Sequence, residues 1–126
     1  MINGAHFVLY SKDPEADRLF LRDVLKFQSV DAGRGWLIFA LPPAEIAVHP
    51  ASESAASPNA DDGVAGAALY LMCDDLRATM KQLQSKKVKF AAVEEAPWGT
   101  VTTFPLPSGR KIGIYQPKHP TAIETR

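Results

Sequence analysis

The sequence has a single cysteine, Cys73, among 126 residues, and its 14 lysines and arginines are balanced by 14 aspartates and glutamates. One cysteine excludes an intramolecular disulfide and fits a reducing compartment. With no net charge and no basic run, the chain lacks the electrostatic footprint of a nucleic-acid-binding protein. No stretch is apolar enough for a membrane span, and residues 1–4 lack the basic region of a signal peptide. We therefore expect a cytoplasmic protein without nucleic-acid or membrane partners.

The sequence also lacks the short motifs of several enzyme classes. It contains no G-x-x-x-x-G-K-[ST] loop, no G-x-G-x-x-G, no H-E-x-x-H and no G-x-S-x-G. Nucleotide-binding and hydrolase chemistries therefore have no support. At 46% hydrophobic residues, a chain of this length can bury a core without disulfides or metal. We expect a single domain over residues 1–126.

What the sequence does contain is a repeated segment. Residues 5–13 (AHFVLYSKD) align with residues 67–75 (AALYLMCDD), so that an apolar strand pattern and an acidic helix cap recur together. In the first copy, Asp13 can cap a helix and Pro14 suits its first turn. Apolar residues then recur at three- and four-residue spacing, which predicts a helix that ends near Lys26. The chain is therefore predicted to be a duplicated module.

Strand patterns follow the first helix. Gly33 and Gly35 mark a hairpin turn within residues 32–35, and the apolar run 36–41 after it ends at a pair of prolines. A further strand is expected over residues 45–49, closed by Pro50. The first module thus spans residues 4–50, and the small polar residues 51–65 have the composition of a linker.

The second module, residues 66–117, repeats this order. A strand over residues 67–72 leads to Asp74 or Asp75 as the cap of a shorter helix. Further strands are expected over residues 88–93, 100–104 and 111–116, with Ser108 and Gly109 in the turn between the last two.

The order of elements predicts an α+β fold. Two βαβββ modules would form an open, curved barrel of mixed sheets with the helices outside, and its inner trough would hold a ligand. A single open ferredoxin-like sheet also alternates strands and helices, but it leaves too many strands after each helix and is our second choice.

Several segments along the chain carry a family resemblance. They are the early strand with His6, the helix end 20–27 (FLRDVLKF), the turn 97–99 (PWG) and the closing segment 105–117 (PLPSGRKIGIYQP). Together with the repeat, they resemble the vicinal oxygen chelate superfamily, which includes glyoxalases, extradiol dioxygenases and bleomycin- or fosfomycin-resistance proteins. The resemblance implies paired βαβββ modules, frequently a homodimer, and a divalent metal inside the catalytic members.

Those catalytic members bind the metal through four inward side chains, one from the first and one from the last strand of each module. His6 matches the first-strand ligand of module one. The second module has Ala68 and Gly113 at the equivalent positions, and neither can coordinate a metal. Two of the four ligands implied by the resemblance are therefore missing.

The metal ligand expected from the last strand of module one can be assigned in more than one way. Ala47 stands at the matching position, with Glu45 and His49 two residues to either side on the same face. A catalytic metal needs about three converging protein ligands, and Gln116 would be a poor addition because its amide oxygen is neutral. His6, Glu45 and His49 are thus an incomplete candidate set, and we expect no cofactor. As alternatives, His6 is a strand histidine with a local partner, and Glu45 is a strand-end surface charge.

Small side chains at Ala47, Ala68 and Gly113 would instead leave room in the trough for an organic ligand. Larger apolar side chains would form its walls, although about half of them should prove to be ordinary packing. These candidates are Trp36, Phe39, Tyr70, Met72, Trp98, Phe104 and Tyr115.

The sequence and the resemblance support two alternative functions. The preferred one is a glyoxalase/bleomycin-resistance-like protein that binds a small organic ligand in an aromatic cavity without a complete metal site. The alternative is a divalent-metal-dependent glyoxalase- or dioxygenase-like enzyme, in which the metal acts as a Lewis acid.

Outside the site, His119 is expected in a solvated tail. Cys73 is expected to be a small buried hydrophobe, because the adjacent Asp74 and Asp75 disfavour a thiolate.

Overall fold

The computed structural model describes residues 1, 6–47 and 68–125, and the predicted linker 51–65 lies outside them. The described elements are α1 (Pro14–Asp23), β1 (Ser29–Asp31), β2 (Leu37–Phe39), β3 (Tyr70–Met72), α2 (Leu76–Gln84), β4 (Glu94–Ala96), β5 (Gly99–Pro105), β6 (Lys111–Pro117) and a short 3₁₀ helix, Ala122–Thr125. The predicted α+β class with mixed sheets is confirmed, and the sheets stay open rather than closing into a barrel. Within the described ranges, no helix is both long and apolar enough to cross a membrane. The module boundaries remain predictions.

Helix α1 begins where the sequence predicts. Asp13 Oδ1 accepts a hydrogen bond from Ala16 N at 3.2 Å. Pro14 occupies the first turn, where its missing N–H removes no helical hydrogen bond. After Asp23, Lys26 adopts a left-handed φ of 62°, which ends the helical path near the predicted position.

The predicted hairpin is also present. Strands β1 and β2 pair antiparallel, with Val30 opposite Ile38. Asp31 Oδ1 accepts hydrogen bonds from Gly33 N at 2.8 Å and Gly35 N at 3.2 Å. Both glycines have positive φ, at 143° and 86°, which a side chain would strain.

A four-stranded sheet in the order β3-β6-β5-β4 forms the second half of the molecule. Strand β3 runs parallel to β6, whereas the β6–β5 and β5–β4 pairs are antiparallel. The turn between β5 and β6 lies at Ser108 and Gly109, as predicted. Gly109 has φ 98° and donates its N–H to Leu106 O at 2.8 Å.

The hydrophobic core lies between this sheet and helix α2, and side chains of α1 such as Phe20 pack against it. Alternation along β5 and β6 places Phe104 opposite Ile112 on one face. Phe104 and Leu76 have no exposed surface, and burying each such side chain contributes about 1.5–3 kcal/mol. The core cluster comprises Leu76, Met80, Leu83, Val88, Phe104, Leu106, Ile112 and Ile114.

The first predicted strand is not formed at residues 6–10, which correspond to the larger part of the range 5–10. A strand needs a partner ladder, and the Tyr10 carbonyl instead accepts a hydrogen bond from Arg110 Nε at 2.6 Å. Residues 45–47 are likewise not a strand, and the rest of the range 45–49, including His49, lies outside the described residues.

The strand predicted over residues 88–93 is displaced toward the C-terminus, where β4 pairs with β5 instead. Val88 N donates to Leu83 O at 3.2 Å, so Val88 completes the end of helix α2. The Thr102 hydroxyl donates a hydrogen bond to Ala91 O at 2.8 Å. This carbonyl oxygen would otherwise accept a hydrogen bond from a neighbouring strand. One local bond and one longer-range bond thus explain why the apolar pattern did not become a strand.

Candidate functional site

The sheet face opposite the core carries the candidate site. Tyr70 lies opposite Gly113, and Val101 lies opposite Tyr115, so their side chains share one side of the sheet. Thr103 shares that side. We call this surface, defined by Tyr70, Val101, Thr103, Gly113 and Tyr115, the aromatic face.

Three rings on or beside the aromatic face form what we call the aromatic cluster. The ring centroids of Trp98 and Tyr115 are 5.2 Å apart, those of Tyr70 and Trp98 are 5.8 Å apart, and those of Tyr70 and Tyr115 are 6.0 Å apart. All three pairs are edge-to-face, which sets the positive edge of one ring against the negative face of another. The structure thus brings together three of the predicted wall residues.

Two glycines allow these rings to lie against the sheet. A Cβ on Gly113 would lie within 2.6 Å of Tyr70 Cε1, and one on Gly99 would lie 2.8 Å from Tyr115 Cδ2. Gly113 was predicted to leave space for a ligand. In this structure the ring of Tyr70 occupies that space.

His119 adds a polar end to the cluster, although the sequence placed it in a solvated tail. Its ring stacks on Tyr115 with centroids 6.0 Å apart, and Nε2 lies 3.1 Å from the Tyr115 hydroxyl. Nδ1 lies 2.7 Å from Pro120 O. Because a carbonyl oxygen only accepts, Nδ1 must carry a hydrogen, and in the neutral ring Nε2 then accepts from Tyr115.

Glu45 connects the first half of the chain to this end of the cluster. Its Oε1 accepts a hydrogen bond from Ala122 N at 2.7 Å. Burial, followed by the negative charge of Glu45, raises the pKa of the Tyr115 phenol. Tyr115 therefore stays protonated at neutral pH and can donate its hydrogen to His119.

The segment between Tyr115 and Ala122 is held by two further contacts. Lys118 N donates to Trp98 O at 2.9 Å. Lys118 Nζ pairs with Glu95 Oε2 at 2.8 Å, and hydrogen bonds from Lys118 and then Thr100 lower the pKa of that carboxyl. The tail thus lies along the aromatic cluster. Nothing in the polar composition of residues 117–122 indicated these contacts, since they join residues distant in sequence.

Two of the predicted wall residues lie elsewhere. Phe104 belongs to the core on the opposite face, with ring centroids 6.1 Å from Phe20 and 5.7 Å from Phe90. This corrects its prediction as a wall of the trough, and the reason is the alternation of side chains along β5. Trp36 is 61% exposed, and the guanidinium carbon of Arg18 lies 4.5 Å from its ring centroid.

The remaining predicted ligand-contacting residues are spread over the surface. Phe39 is half-buried on β2, whereas Ala47 and Ala68 are exposed. Met72 is half-buried and lies opposite Tyr115, on the same side of the sheet as the aromatic face. It also helps to line a cleft of about 300 Å³ between helix α2, strand β3 and the end of α1. Cys73 lines the same cleft, and burial, with a smaller addition from Asp74 and Asp75, raises the pKa of its thiol.

Residues 4–118 match the family described as the glyoxalase/bleomycin resistance protein/dioxygenase superfamily. The chain belongs to this superfamily. Among curated proteins, none matches the chain. The family match covers nearly the whole sequence and accounts for the resemblance carried by its closing segment.

Several solved structures share the fold of this chain. TnmS3, an antibiotic binding protein from Streptomyces sp. CB03234, has 24% identity and a TM-score of 0.63 over 94% of this chain and 99% of its own. A glyoxalase/bleomycin resistance protein from the same organism has 24% identity and a TM-score of 0.59 over 90% and 100% of the chains. Lactoylglutathione lyase from Agrobacterium tumefaciens has 15% identity and a TM-score of 0.62 over 90% and 92%.

The superfamily's divalent metal does not fit the donor groups that the structure describes. His6 is exposed and lies outside any strand, and Glu45 Oε1 is bonded to Ala122 N. Gln116 Oε1 accepts from Leu76 N at 2.9 Å and so helps to cap helix α2 rather than facing a ligand. In the described part of the chain, no three histidine, cysteine, aspartate or glutamate side chains are grouped to hold a metal. His49 lies outside that part.

Proposed function

We propose that this member of the superfamily binds a small organic ligand with an aromatic ring on its aromatic face. The observation that carries the proposal is the mutual edge-to-face contact of Tyr70, Trp98 and Tyr115 on the sheet face opposite the core. Tyr115 is only 8% exposed there, so a ligand would be enclosed rather than held on an open surface. Aromatic side chains of this kind provide large contact areas and defined stacking geometry for a planar ligand. An antibiotic binding protein of the same fold makes an antibiotic-sized ligand a reasonable expectation.

The polar end of the cluster supports a ligand with a hydrogen-bond donor. Since the Tyr115 hydroxyl gives its hydrogen to His119 Nε2, its oxygen still has lone pairs to accept a hydrogen bond from a ligand. A phenol or an amine on an aromatic ring would meet this requirement. A ligand with only acceptor groups at that position would have to break the Tyr115–His119 bond first.

Ligand entry requires the rings to separate, because they contact one another in this structure. The tail beside them is fastened by exposed groups, since the side chains of Lys118 and Glu95 are 48% and 60% exposed. Such a surface pair contributes only about 0–1 kcal/mol. The main cost of moving the tail is therefore the loss of the hydrogen bonds that Lys118 N, His119 and Ala122 N make with Trp98, Tyr115 and Glu45. We propose that residues 118–122, which follow β6, move aside as the ligand inserts between Trp98 and Tyr115.

A calorimetric titration tests this function directly. Daunorubicin serves as a planar aromatic antibiotic with phenol groups, bleomycin as the drug named by the superfamily, and kanamycin as a control without an aromatic ring. We expect daunorubicin to bind and kanamycin not to bind. Replacing Trp98 by leucine should weaken binding about tenfold or more.

Trp36 provides the matched control, since it is exposed and lies on the hairpin instead of in the aromatic cluster. Trp36→Leu should leave the affinity unchanged. Equal losses in the two variants, or no binding of either aromatic drug, would refute a ligand site at the aromatic cluster.

We further propose that binding needs no resident metal. The support is the donor chemistry, because two of the four positions implied by the family carry alanine and glycine and the oxygens of Glu45 and Gln116 are used within the chain. Elemental analysis after dialysis against zinc, manganese, nickel and iron(II) should give far less than one ion per chain. A near-stoichiometric ion that His6→Ala removes would support the metalloenzyme alternative instead.

A homodimer and a cytoplasmic location complete the proposal. Large apolar side chains are exposed in the first half of the chain, with Ile46 at 91% and Val30 at 66%. A partner subunit would cover such groups. The single cysteine is consistent with the cytoplasm. Cell fractionation checks the location, and sedimentation velocity checks the subunit contact.

A further inference from the structure

A second cleft, of about 500 Å³, lies between residues 10–12 and the turn that joins β5 to β6. This volume falls within the range of small-molecule sites, roughly 300–1,000 Å³. The cleft shares no lining residue with the aromatic cluster. It is lined by Tyr10, Ser11, Lys12, Ser108, Gly109 and Arg110.

Two long-range links fix the walls of this cleft. Arg110 Nε donates to Tyr10 O at 2.6 Å and joins the turn to the segment before α1. Ser108 donates from its N to Asp17 Oδ1 at 3.0 Å and from its hydroxyl to Asp17 Oδ2 at 2.7 Å. Asp17 is only 6% exposed, so this carboxylate anchors the turn from inside. The cleft is therefore held open before any ligand arrives.

The charge of the lining is positive. Lys12 and Arg110 each contribute one cation, and none of the described residues that line the cleft is acidic. Two carboxylates lie next to the lining residues in the hydrogen-bond network. Asp17 has both oxygens bonded to Ser108, and Asp13 Oδ1 accepts from Ala16 N. The Ser11 hydroxyl accepts from Asp13 N at 3.0 Å, which leaves its own hydrogen to donate. These groups favour an anion.

We propose that this cleft binds the carboxylate or phosphate group of a small organic anion. Lys12 and Arg110 supply the positive charge, and the Ser11 hydroxyl donates a hydrogen bond to the anionic oxygens. The left-handed φ of 98° at Gly109 lets the turn pass close to the ligand without a side chain in the way. Carboxylate and phosphate share the required chemistry and differ in charge and geometry.

An NMR titration of the full ¹⁵N-labelled chain tests the proposal with three probes that each contain one benzene ring. Benzoate carries a carboxylate, phenyl phosphate carries a phosphate, and benzyl alcohol carries no charge. At low salt we expect saturable shifts of the amides of residues 10–12 and 108–110 with at least one anion, at concentrations up to about 10 mM. Benzyl alcohol should leave these amides unchanged. Binding of one anion alone identifies the group that the cleft accepts.

The matched variants are Lys12→Gln and Lys111→Gln. Both lysines are exposed, but Lys111 does not line the cleft. We expect Lys12→Gln to weaken anion binding about fivefold and Lys111→Gln to change it by less than about twofold. Well-dispersed spectra verify that each variant is folded. The proposal is overturned if neither anion gives saturable shifts at the cleft, if benzyl alcohol shifts the same amides, or if the two variants weaken binding equally.

Discussion

Gly113 and Tyr70 approach each other so closely that neither residue can change independently. The Tyr70 ring lies where a Cβ on Gly113 would be, and Tyr70 in turn touches both other rings of the cluster. The sequence showed Gly113 as a missing metal ligand and as open volume. It could not show that a side chain from the neighbouring strand β3 fills this volume, because that depends on strand register.

Gly113→Ala should therefore destabilise the protein by about 1–3 kcal/mol, since the added methyl group forces Tyr70 from its position. Urea unfolding followed by circular dichroism measures the loss. In a Tyr70→Ala background, the same Gly113→Ala change should cost much less, and the difference is the coupling between the two positions. Equal costs in both backgrounds would show that the ring does not fill this space.

Cys73 and Tyr115 should make the free energy of unfolding fall at alkaline pH. Burial raises the pKa of both groups above their ordinary values of 9.0 and 10.0. The unfolded chain therefore loses these protons at lower pH than the folded chain, and the free energy of unfolding falls as pH rises through that interval. Below pH 9 the contribution is fully present.

Urea unfolding at a series of pH values from 7 to 11 checks this dependence. Cys73→Ala and Tyr115→Phe should each flatten the decline on the alkaline side. A decline as steep in the Cys73 and Tyr115 variants as in the parent protein would contradict the assignment.

Among the secondary-structure elements, helices and turns were the most predictable from sequence. Helix caps and glycine turns depend on neighbouring residues, so Asp13, the 32–35 hairpin and the Ser108–Gly109 turn were found correctly. The choice between Asp74 and Asp75 stayed open, because either spacing can cap a helix. In the structure Asp75 is the cap, and its Oδ1 accepts from Ala78 N at 3.0 Å.

Asp75→Ala should cost about 1 kcal/mol of stability, since the N-terminal amides of α2 lose this acceptor. Asp74→Ala is the matched control and should be nearly neutral, because Asp74 is exposed and does not cap the helix. Chemical denaturation of the two single variants measures the difference. A larger loss from Asp74→Ala would reverse the assignment of the cap.

The strands were less predictable because a strand depends on its partner. Residues 88–93 have a strand pattern, but Val88 closes a helix and the Ala91 carbonyl binds the Thr102 hydroxyl. Residues 6–10 also have the pattern, yet the Tyr10 carbonyl binds Arg110. Apolar alternation therefore identified segments that could pair, while side chains distant in sequence decided which segments did.

For the molecule as a whole, the family and fold were predictable because their signals are distributed along the chain. The ligand site itself stays a prediction. The structure brings Tyr70, Trp98 and Tyr115 together and places Phe104 in the core. The inward positions of a sheet follow from its register, which the sequence shows only approximately. Glu45 was missed as a partner of the aromatic cluster because its hydrogen bond from Ala122 joins residues 77 apart in sequence. His119 was missed because its contact with Tyr115 depends on the path that the chain takes after β6.

The exposed apolar side chains of the hairpin predict a subunit contact. Val30 and Ile38 are cross-strand partners, and they are 66% and 36% exposed. If a second copy covers them, Val30→Lys should shift the protein toward monomer in sedimentation velocity. Ser29→Lys, one position earlier on the same strand, should not. A parent protein that sediments as a monomer at high concentration would refute the dimer.

The two tryptophans allow the ligand site to be located by fluorescence, since one lies in the aromatic cluster and the other on the hairpin. Trp36→Phe leaves Trp98 as the sole reporter, and Trp98→Phe leaves Trp36. We would titrate both single-tryptophan proteins with daunorubicin and correct for its absorbance with free tryptophan. A ligand on the aromatic face predicts saturable quenching of Trp98 and none of Trp36. Quenching confined to Trp36, or the same unsaturable quenching in both proteins, would contradict it.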